Sequence, residues 1–334
     1  MPSKPTPWSI YLGLWTPLPA APKGDYLKDK VIVITGATSG LGLEATKAFA
    51  AASPAKLILA VRAVEAGQKV LADLQRKHPK VEGEVVYIDS TKVESIKAFA
   101  EKVKEFGRVD VLVNNAAISP NFSDGPFRAT NDGYERVLQT NVIAPVLTTL
   151  LIEPLLEASK DPKVIFVGSD AHCMADESII KECVDKHESI LDTFNDPKRY
   201  DNGARYFQSK LLLQMITRSL IPSLPNINII NVNPSLSRTN LGREIDAKCN
   251  FETIRSIVWF LSNARSATSA ARNLTTAVAW SEESHDYWSE CAPSCSPSTF
   301  LTSGSGIKAT KQFYAEVKEE LEKISPGLTA GLQL

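Results

Sequence analysis

Tyr206 and Lys210 stand four positions apart in ARYFQSKLLL, residues 204–213. If this segment is a helix, positions i and i+4 lie one above the other, and a phenol and an ammonium group converge. Such a pair suits acid–base chemistry. It equally suits an amphipathic residue and a snorkelling lysine at the edge of a core. The spacing alone does not separate the two.

A second stretch carries chemistry of another kind. The run VIVIT (31–35) leads into TGATSGLG, Thr35 to Gly42, ahead of a helix-prone segment. Glycines at 36, 40 and 42 permit a tight turn, close backbone approach to a pyrophosphate and close packing of helix on strand. A helix N-terminus there brings free N–H groups and a positive dipole to the phosphates. Gly36, Thr38, Ser39, Gly40, Leu41 and Gly42 are therefore candidate dinucleotide contacts, with a ligand-free glycine turn as the alternative. The next apolar run ends in LILAVR. An acid at that position would bind the ribose 2′-hydroxyl of NAD, whereas an arginine suits the 2′-phosphate of NADP. Val61 and Arg62 stand there without a carboxylate, so the expected cofactor is NADP, with NADPH preferred over NADH.

The elements that must position these residues alternate in type. Short β-branched runs occur at 31–35, 56–61, 84–88, 109–113, 163–167 and 227–232, separated by longer helical stretches. The runs are continuously apolar, which suits strands covered on both faces. Right-handed βαβ units in a doubly wound parallel sheet follow, an α/β fold with helices on both faces. A domain running from residue 25 to the end, preceded by an arm over 1–24, is expected. Residues 171–203 interrupt the alternation as a charged insertion. In it Ile179, Ile180, Cys183, Val184, His187, Ile190, Leu191 and Phe194 fall at helical spacing, predicting an amphipathic helix on the body. Residues 235–305 read as irregular, with helical pieces near 251–263 and 266–280, and a last helix spans 308–323.

Bulk properties exclude several function classes. Among the 334 residues, 43% are apolar and 22% charged, and the net charge is 37 − 38 = −1. That balance gives no sign of a nucleic-acid or anionic-membrane partner. The scattered Cys173, Cys183, Cys249, Cys291 and Cys295 and the histidines show no ligand spacing, so no metal is expected. Reduced thiols and a cytoplasmic location follow. The apolar run from Trp8 to Trp15 is too short to span a bilayer and is closed by Pro17 and Pro19, so no integral membrane segment is expected. The arm is instead expected to pack Trp8 and Trp15 onto the fold.

TGATSGLG, IDS at 88–90, NNAA at 114–117, Asn141 in QTNV, Ser169 in VGSDAH and Tyr206-x-x-x-Lys210 occur in one order. In that order they resemble the classical short-chain dehydrogenase/reductases, with a Rossmann-type fold, over about residues 25–325. NPSLSRT (233–239) is similar to the family's PG-x-x-x-T segment. SDAH, SK-L, YWSEC at 287–291 and the Pro-rich arm resemble the retinol-dehydrogenase-like and fungal members, whose setting is secondary metabolism. The resemblance implies that Tyr206 is the general acid in carbonyl reduction and the base in alcohol oxidation. Lys210 would make the phenol more acidic and hold the nicotinamide ribose, and Ser169 would donate a hydrogen bond to the substrate oxygen. Asn141 would kink its helix and hold a water linking Lys210 to solvent. Asp89 and Ser90 would meet the adenine, Asn115 and Ala116 the adenosine ribose, and Pro234, Leu236 and Thr239 the nicotinamide end.

This chain departs from that pattern in three places. Ser235 replaces the glycine of the PG turn, and if that position needs φ > 0 a serine is strained there. Gly168 stands where the family often has a first serine. Ser169 and Tyr206 are 206 − 169 = 37 residues apart, so the insertion is expected to border the substrate pocket as a lid or specificity wall. Leu236, Leu241, Ile245, Phe251, Ile257, Val258, Trp259 and Phe260 suggest a lipophilic ketone or secondary alcohol, with Arg238 and Arg243 as candidate charged contacts. A non-redox cyclase, dehydratase or epimerase on the same scaffold is the alternative. Monomer and homodimer both remain open, since family members pair through the helices around Asn141 and Tyr206 but long-insertion members are often monomeric.

Overall fold

The computed structural model describes residues 15–120, 125–238, 262–281, 283–296 and 298–332. The apolar runs form strands β1 (Val31–Thr35), β2 (Lys56–Val61), β3 (Glu82–Tyr87), β4 (Val111–Asn114), β5 (Lys163–Val167) and β6 (Asn228–Val232). They pair in parallel in the order β3-β2-β1-β4-β5-β6. The order reverses between β1 and β4, and the crevice outside the carboxyl ends of the strands at such a point is where open α/β sheets bind ligands.

Side-chain alternation along β1 shows why these strands do not alternate apolar and polar residues. Ile32 and Ile34 face α1 (Gly40–Ala51) and its Phe49, while Val33 joins a second core with Phe99 of α3 (Val93–Lys104). Helix α2 (Val64–Lys77) connects β2 to β3. Both faces of the sheet are covered, so an alternating pattern would bury charge.

Helix α4 begins at Arg136–Leu138, passes through a π turn at Gln139–Ile143 and continues as Ala144–Leu151. All residues from 137 to 150 are buried. The insertion holds not one helix but two, α5 (Ser178–Lys186) and α6 (Ile190–Asn195). The rod breaks at His187, which takes φ 55 and caps α5 in the left-handed region. The expected apolar face holds, with Ile180, Cys183, Ile190 and Phe194 buried.

Helix α7 (Arg205–Ser223) carries Tyr206 and Lys210. Beyond β6, a two-residue ladder joins β7 (Ser237–Arg238) to β8 (Arg265–Ser266), leading into α8 (Ala267–Ala279). The sheet then extends past its expected six strands. β9 (His285–Ser289) adds parallel to β6, and β10 (Ala292–Pro293) closes the edge antiparallel. HDYWS reads as polar, yet Tyr287 and Trp288 are buried and hold it in place.

The last helix, α9 (Gly304–Ile324), packs on α7 and on the insertion. Its Glu316 accepts from the backbone amides of Ile190 (3.1 Å) and Leu191 (2.7 Å), capping α6. The insertion helices are thus secured to the body by α9. The arm is tied down as Arg265 donates to the Thr16 carbonyl (2.7 Å) and Arg272 to that of Leu18 (3.1 Å). Leu18 is buried, but Trp15 is 59% exposed, so that tryptophan does not pack as expected. Trp8 lies outside the described residues. No helix among them is long and apolar enough to cross a membrane.

Candidate active site

The loop between β1 and α1 makes the expected tight turn, with Gly36 at φ 70 and Gly40 at φ 54, values glycine adopts without strain. Gly42 is required for a different reason. A Cβ there would lie 2.3 Å from the Gly36 carbonyl oxygen and 2.4 Å from Asn115 Nδ2. Asn115 locks the loop from β4, donating from Nδ2 to the carbonyls of Thr35 (2.8 Å) and Gly36 (3.3 Å). The Thr35 hydroxyl accepts from the Asn115 and Ala116 amides at 3.0 and 2.9 Å. Ser39 precedes α1 without a side-chain cap, and the first turn carries no acid. The first amides of α1 therefore face outward as an uncapped anion-binding end.

At the end of β2, Arg62 is exposed and makes no hydrogen bond or ion pair with another described residue. Asp89 is buried at the end of β3 and closes its own turn. Its Oδ1 accepts from the Thr91 amide (3.1 Å) and hydroxyl (2.7 Å), while Oδ2 lies 3.7 Å from Lys92 Nζ. Ser90, beside it, is half-buried. A cradle of glycines, an uncapped helix start and an unpaired arginine without a competing acid fit a dinucleotide carrying a 2′-phosphate.

Three elements bring the remaining candidates together. Ser169 follows β5, Tyr206 and Lys210 lie on α7, and Asn141 sits inside the π turn of α4. Ser169 stands beside the Tyr206 phenol, close enough for its hydroxyl to favour the phenolate. It also accepts from the Ala171 amide at 3.1 Å. Lys210 Nζ donates to the Val167 carbonyl at 2.8 Å and lies 5.8 Å from the centre of the Tyr206 ring. Burial pushes the Tyr206 phenol up to about 12, against the opposing pull of Ser169, and draws the Lys210 ammonium down to about 8.

The bend expected at Asn141 is the π turn itself, a local widening often found at functional sites. Asn141 Nδ2 donates to the Ile118 carbonyl (2.9 Å) and the Ser209 hydroxyl (3.0 Å), while Oδ1 accepts from the Ile118 amide (2.9 Å). Both amide protons are committed to the chain, and Asn141 binds α4 to α7 and to the loop after β4.

Ser235 takes φ 66, as the glycine it replaces would, so the strain expected of it is real. Pro234 and Leu236 flank it, half-buried, and the Leu236 carbonyl accepts from the Arg265 amide at 2.9 Å. Thr239, Leu241, Arg243, Ile245, Phe251, Ile257, Val258, Trp259 and Phe260 lie outside the described residues, and Arg238 is exposed. The insertion leaves the site on one side and returns to it at the start of α7. Residues Asp170–Met174 form a 3-10 turn directly after Ser169, and Met174 is 72% exposed.

Several residues near Ser169 lie in the quoted motifs but received no role from the sequence. His172 Nδ1 pairs with the Ser169 carbonyl and Nε2 with the Ser296 hydroxyl, each at 2.6 Å. Burial disfavours its charged form. Tyr287 donates its hydroxyl to Asp170. Asn233 joins β6 to both neighbours. Most of these bonds link positions distant in the chain, so the motifs that contain them do not reveal the partners.

A fold with its crevice at the β1/β4 reversal and a Ser–Tyr–Lys cluster beside it defines a nucleotide-dependent oxidoreductase class. A family model described as short chain dehydrogenase matches residues 30–180. The short chain dehydrogenase/reductase dmxR8 of Cryptosporiopsis sp. (strain 8999) is 31% identical, covering 96% of this chain and 98% of its own. Retinol dehydrogenase 13 of Mus musculus is 32% identical over 67% of this chain and 63% of its own. Among solved structures, NADPH-bound carbonyl reductase from chicken fatty liver aligns with a TM-score of 0.56 at 23% identity, over 80% of this chain and 99% of that one. The chain belongs to the short-chain dehydrogenase/reductase family of oxidoreductases and shares its subtype with fungal members.

Proposed function

We propose that the chain reduces a ketone on a lipophilic small molecule, or oxidises the matching secondary alcohol, with NADP(H) as its cofactor. The observation that carries this reading is the Tyr206 phenol beside Ser169 with Lys210 one turn below. A phenol held near 12 keeps its proton at neutral pH, so its resting state is that of a donor. Bound nicotinamide supplies the hydride. As the carbonyl π electrons move onto oxygen, Tyr206 passes its proton to that oxygen and Ser169 donates a hydrogen bond to it. The Lys210 ammonium stabilises the phenolate left behind.

The uncapped start of α1 suits the pyrophosphate of either cofactor, and Arg62 supports NADPH over NADH, as does the NADPH in the carbonyl reductase of similar fold. Asp89 and Ser90 would meet the adenine. Asn115 would act mainly by holding the loop, with Ala116 beside the ribose. Met174 and Leu236 offer apolar surface on the substrate side. The chain would act as a monomer, because α4 and much of α7 are already covered within it. A single species at the mass of one chain in sedimentation velocity would check this.

A panel of ketones and secondary alcohols, run with both cofactors, tests the reaction. Tyr206→Phe should abolish turnover while NADPH still binds. Near-normal hydride transfer in that variant would overturn the assignment.

A further inference from the structure

Asn233, at the exit of β6, is 1% exposed, and its side-chain oxygen serves two backbone amides. Oδ1 accepts from Asp170 at 3.2 Å and from Ser235 at 3.0 Å. Nδ2 donates to the Ser289 hydroxyl of β9 at 3.1 Å, and the backbone amide donates to the Trp288 carbonyl at 2.8 Å. The ends of β5, β6 and β9 therefore meet at one carboxamide.

Two consequences follow from that geometry. Ser169 is straddled by bonds to consecutive residues of the β6 exit, since Gly168 N donates to the Val232 carbonyl at 2.8 Å and Asp170 N to Asn233 Oδ1. The Asn233–Ser235 bond is also the i to i+2 contact of an Asx turn. It sits directly ahead of the left-handed Ser235 at φ 66, a conformation that disfavours any residue with a Cβ.

We propose that Asn233 is a positioning residue: its Oδ1 fixes the backbone after Ser169 and holds Ser235 in the left-handed conformation, setting the serine hydroxyl and the 234–238 loop at one spacing. The proposal rests on Ser169 acting as hydrogen-bond donor to the substrate oxygen. It also explains how the chain carries a serine at a turn position that favours glycine.

Substitution separates the two tasks. Asn233→Ala should lower kcat about tenfold or more, the equivalent of one lost transition-state contact. Ser235→Gly should leave wild-type kcat within about twofold, yet raise the melting temperature of Asn233→Ala more than that of the wild type, a coupling that independent sites would not show. Asn233→Ser keeps a weaker form of the turn bond but is too short to reach Asp170. It should fold and still lose kcat, which keeps the test open if the alanine variant does not fold. Wild-type kcat in a folded Asn233→Ser or Asn233→Ala would overturn the positioning of Ser169, and purely additive melting shifts would overturn the turn. Ser169→Ala is the control for the underlying reading. If it keeps full kcat, that reading fails, and the Ser235 coupling still decides the turn.

Discussion

Lys210 donates from Nζ to the carbonyl oxygen of Val167, 2.8 Å away, fastening the helix of Tyr206 to the strand that ends at Ser169. The bond does more than anchor a charge. Val167 is two residues before Ser169, so this bond also holds the helix of Tyr206 against the strand end that carries the serine. Asn141 braces the same helix from α4 through Ser209, whose hydroxyl in turn donates to the Tyr206 carbonyl at 2.8 Å.

The buried lysines make stability depend on pH. Burial draws both Lys210 and Lys163 down to about 8, below the usual lysine value of about 10.4. Between those values the unfolded chain holds protons that the folded chain has shed, so stability should rise with pH across the window. Above about 10 the sign reverses through Tyr206, because the unfolded phenol loses a proton that the folded one keeps to about 12. Lys163 lies outside the candidate site and donates to the Val278 carbonyl at 2.9 Å. Lys163→Met should flatten the rise, read by urea denaturation at about pH 7.5 and about pH 9.5.

Arg62 provides the cofactor prediction. Exposed and unpaired among the described residues, it directly follows β2, and the proposed NADPH reading gives it the 2′-phosphate. Arg62→Glu should weaken NADPH by about tenfold or more, the scale of losing a charge-assisted contact, and should affect NADH far less. Equal losses in a fluorescence titration of both cofactors would remove the basis for preferring NADP.

Gly168 gives a prediction about packing. A Cβ there would lie 2.0 Å from Asn231 Oδ1, and Asn231 is fully buried and donates to the Thr217 hydroxyl at 3.0 Å. Restoring the family's serine with Gly168→Ser should therefore destabilise the fold by about 1–3 kcal/mol. Asn231→Ala should relieve much of that loss, giving a coupling of about 1 kcal/mol or more in a thermal double-mutant cycle.

That glycine shows where sequence reading stops. Read along the chain, Gly168 is a missing serine; in the fold it is the space that Asn231 occupies from the neighbouring strand. Features written in local patterns were legible. The apolar runs became β1 to β6 because burial on both faces leaves few polar positions, and the glycine turn and the Tyr206–Lys210 spacing describe single elements. The insertion's apolar spacing marked a buried face but not the break at His187, since nothing in KHES requires a left-handed residue. β9 was hidden because HDYWS mixes two buried aromatics with polar neighbours. Asn233, His172 and the Asn115 lock join segments far apart in sequence.

The insertion is best tested through the ion pair beneath it. Glu135 caps the start of α4, accepting from the Val137 and Leu138 amides at 2.9 and 2.8 Å, and Arg205 opens the helix of Tyr206. Arg205 Nε lies 3.8 Å from Glu135 Oε2, with both side chains almost wholly buried. The guanidinium is flanked by Phe194 and Tyr200 of the insertion, at 4.9 and 5.0 Å from their ring centres. The insertion thus covers the point where the two site-bearing helices begin. Burial disfavours charge on both partners, raising Glu135 and lowering Arg205. Attraction between such partners barely repays their desolvation. Arg205→Met should therefore destabilise by about 3–5 kcal/mol, because it leaves a buried carboxylate without its partner. Adding Glu135→Gln removes that charge while keeping an acceptor for the helix start, so the double variant should be more stable than Arg205→Met alone. Urea denaturation of the three proteins checks the order, and a double variant less stable than either single one would show that the pair is not coupled in this way.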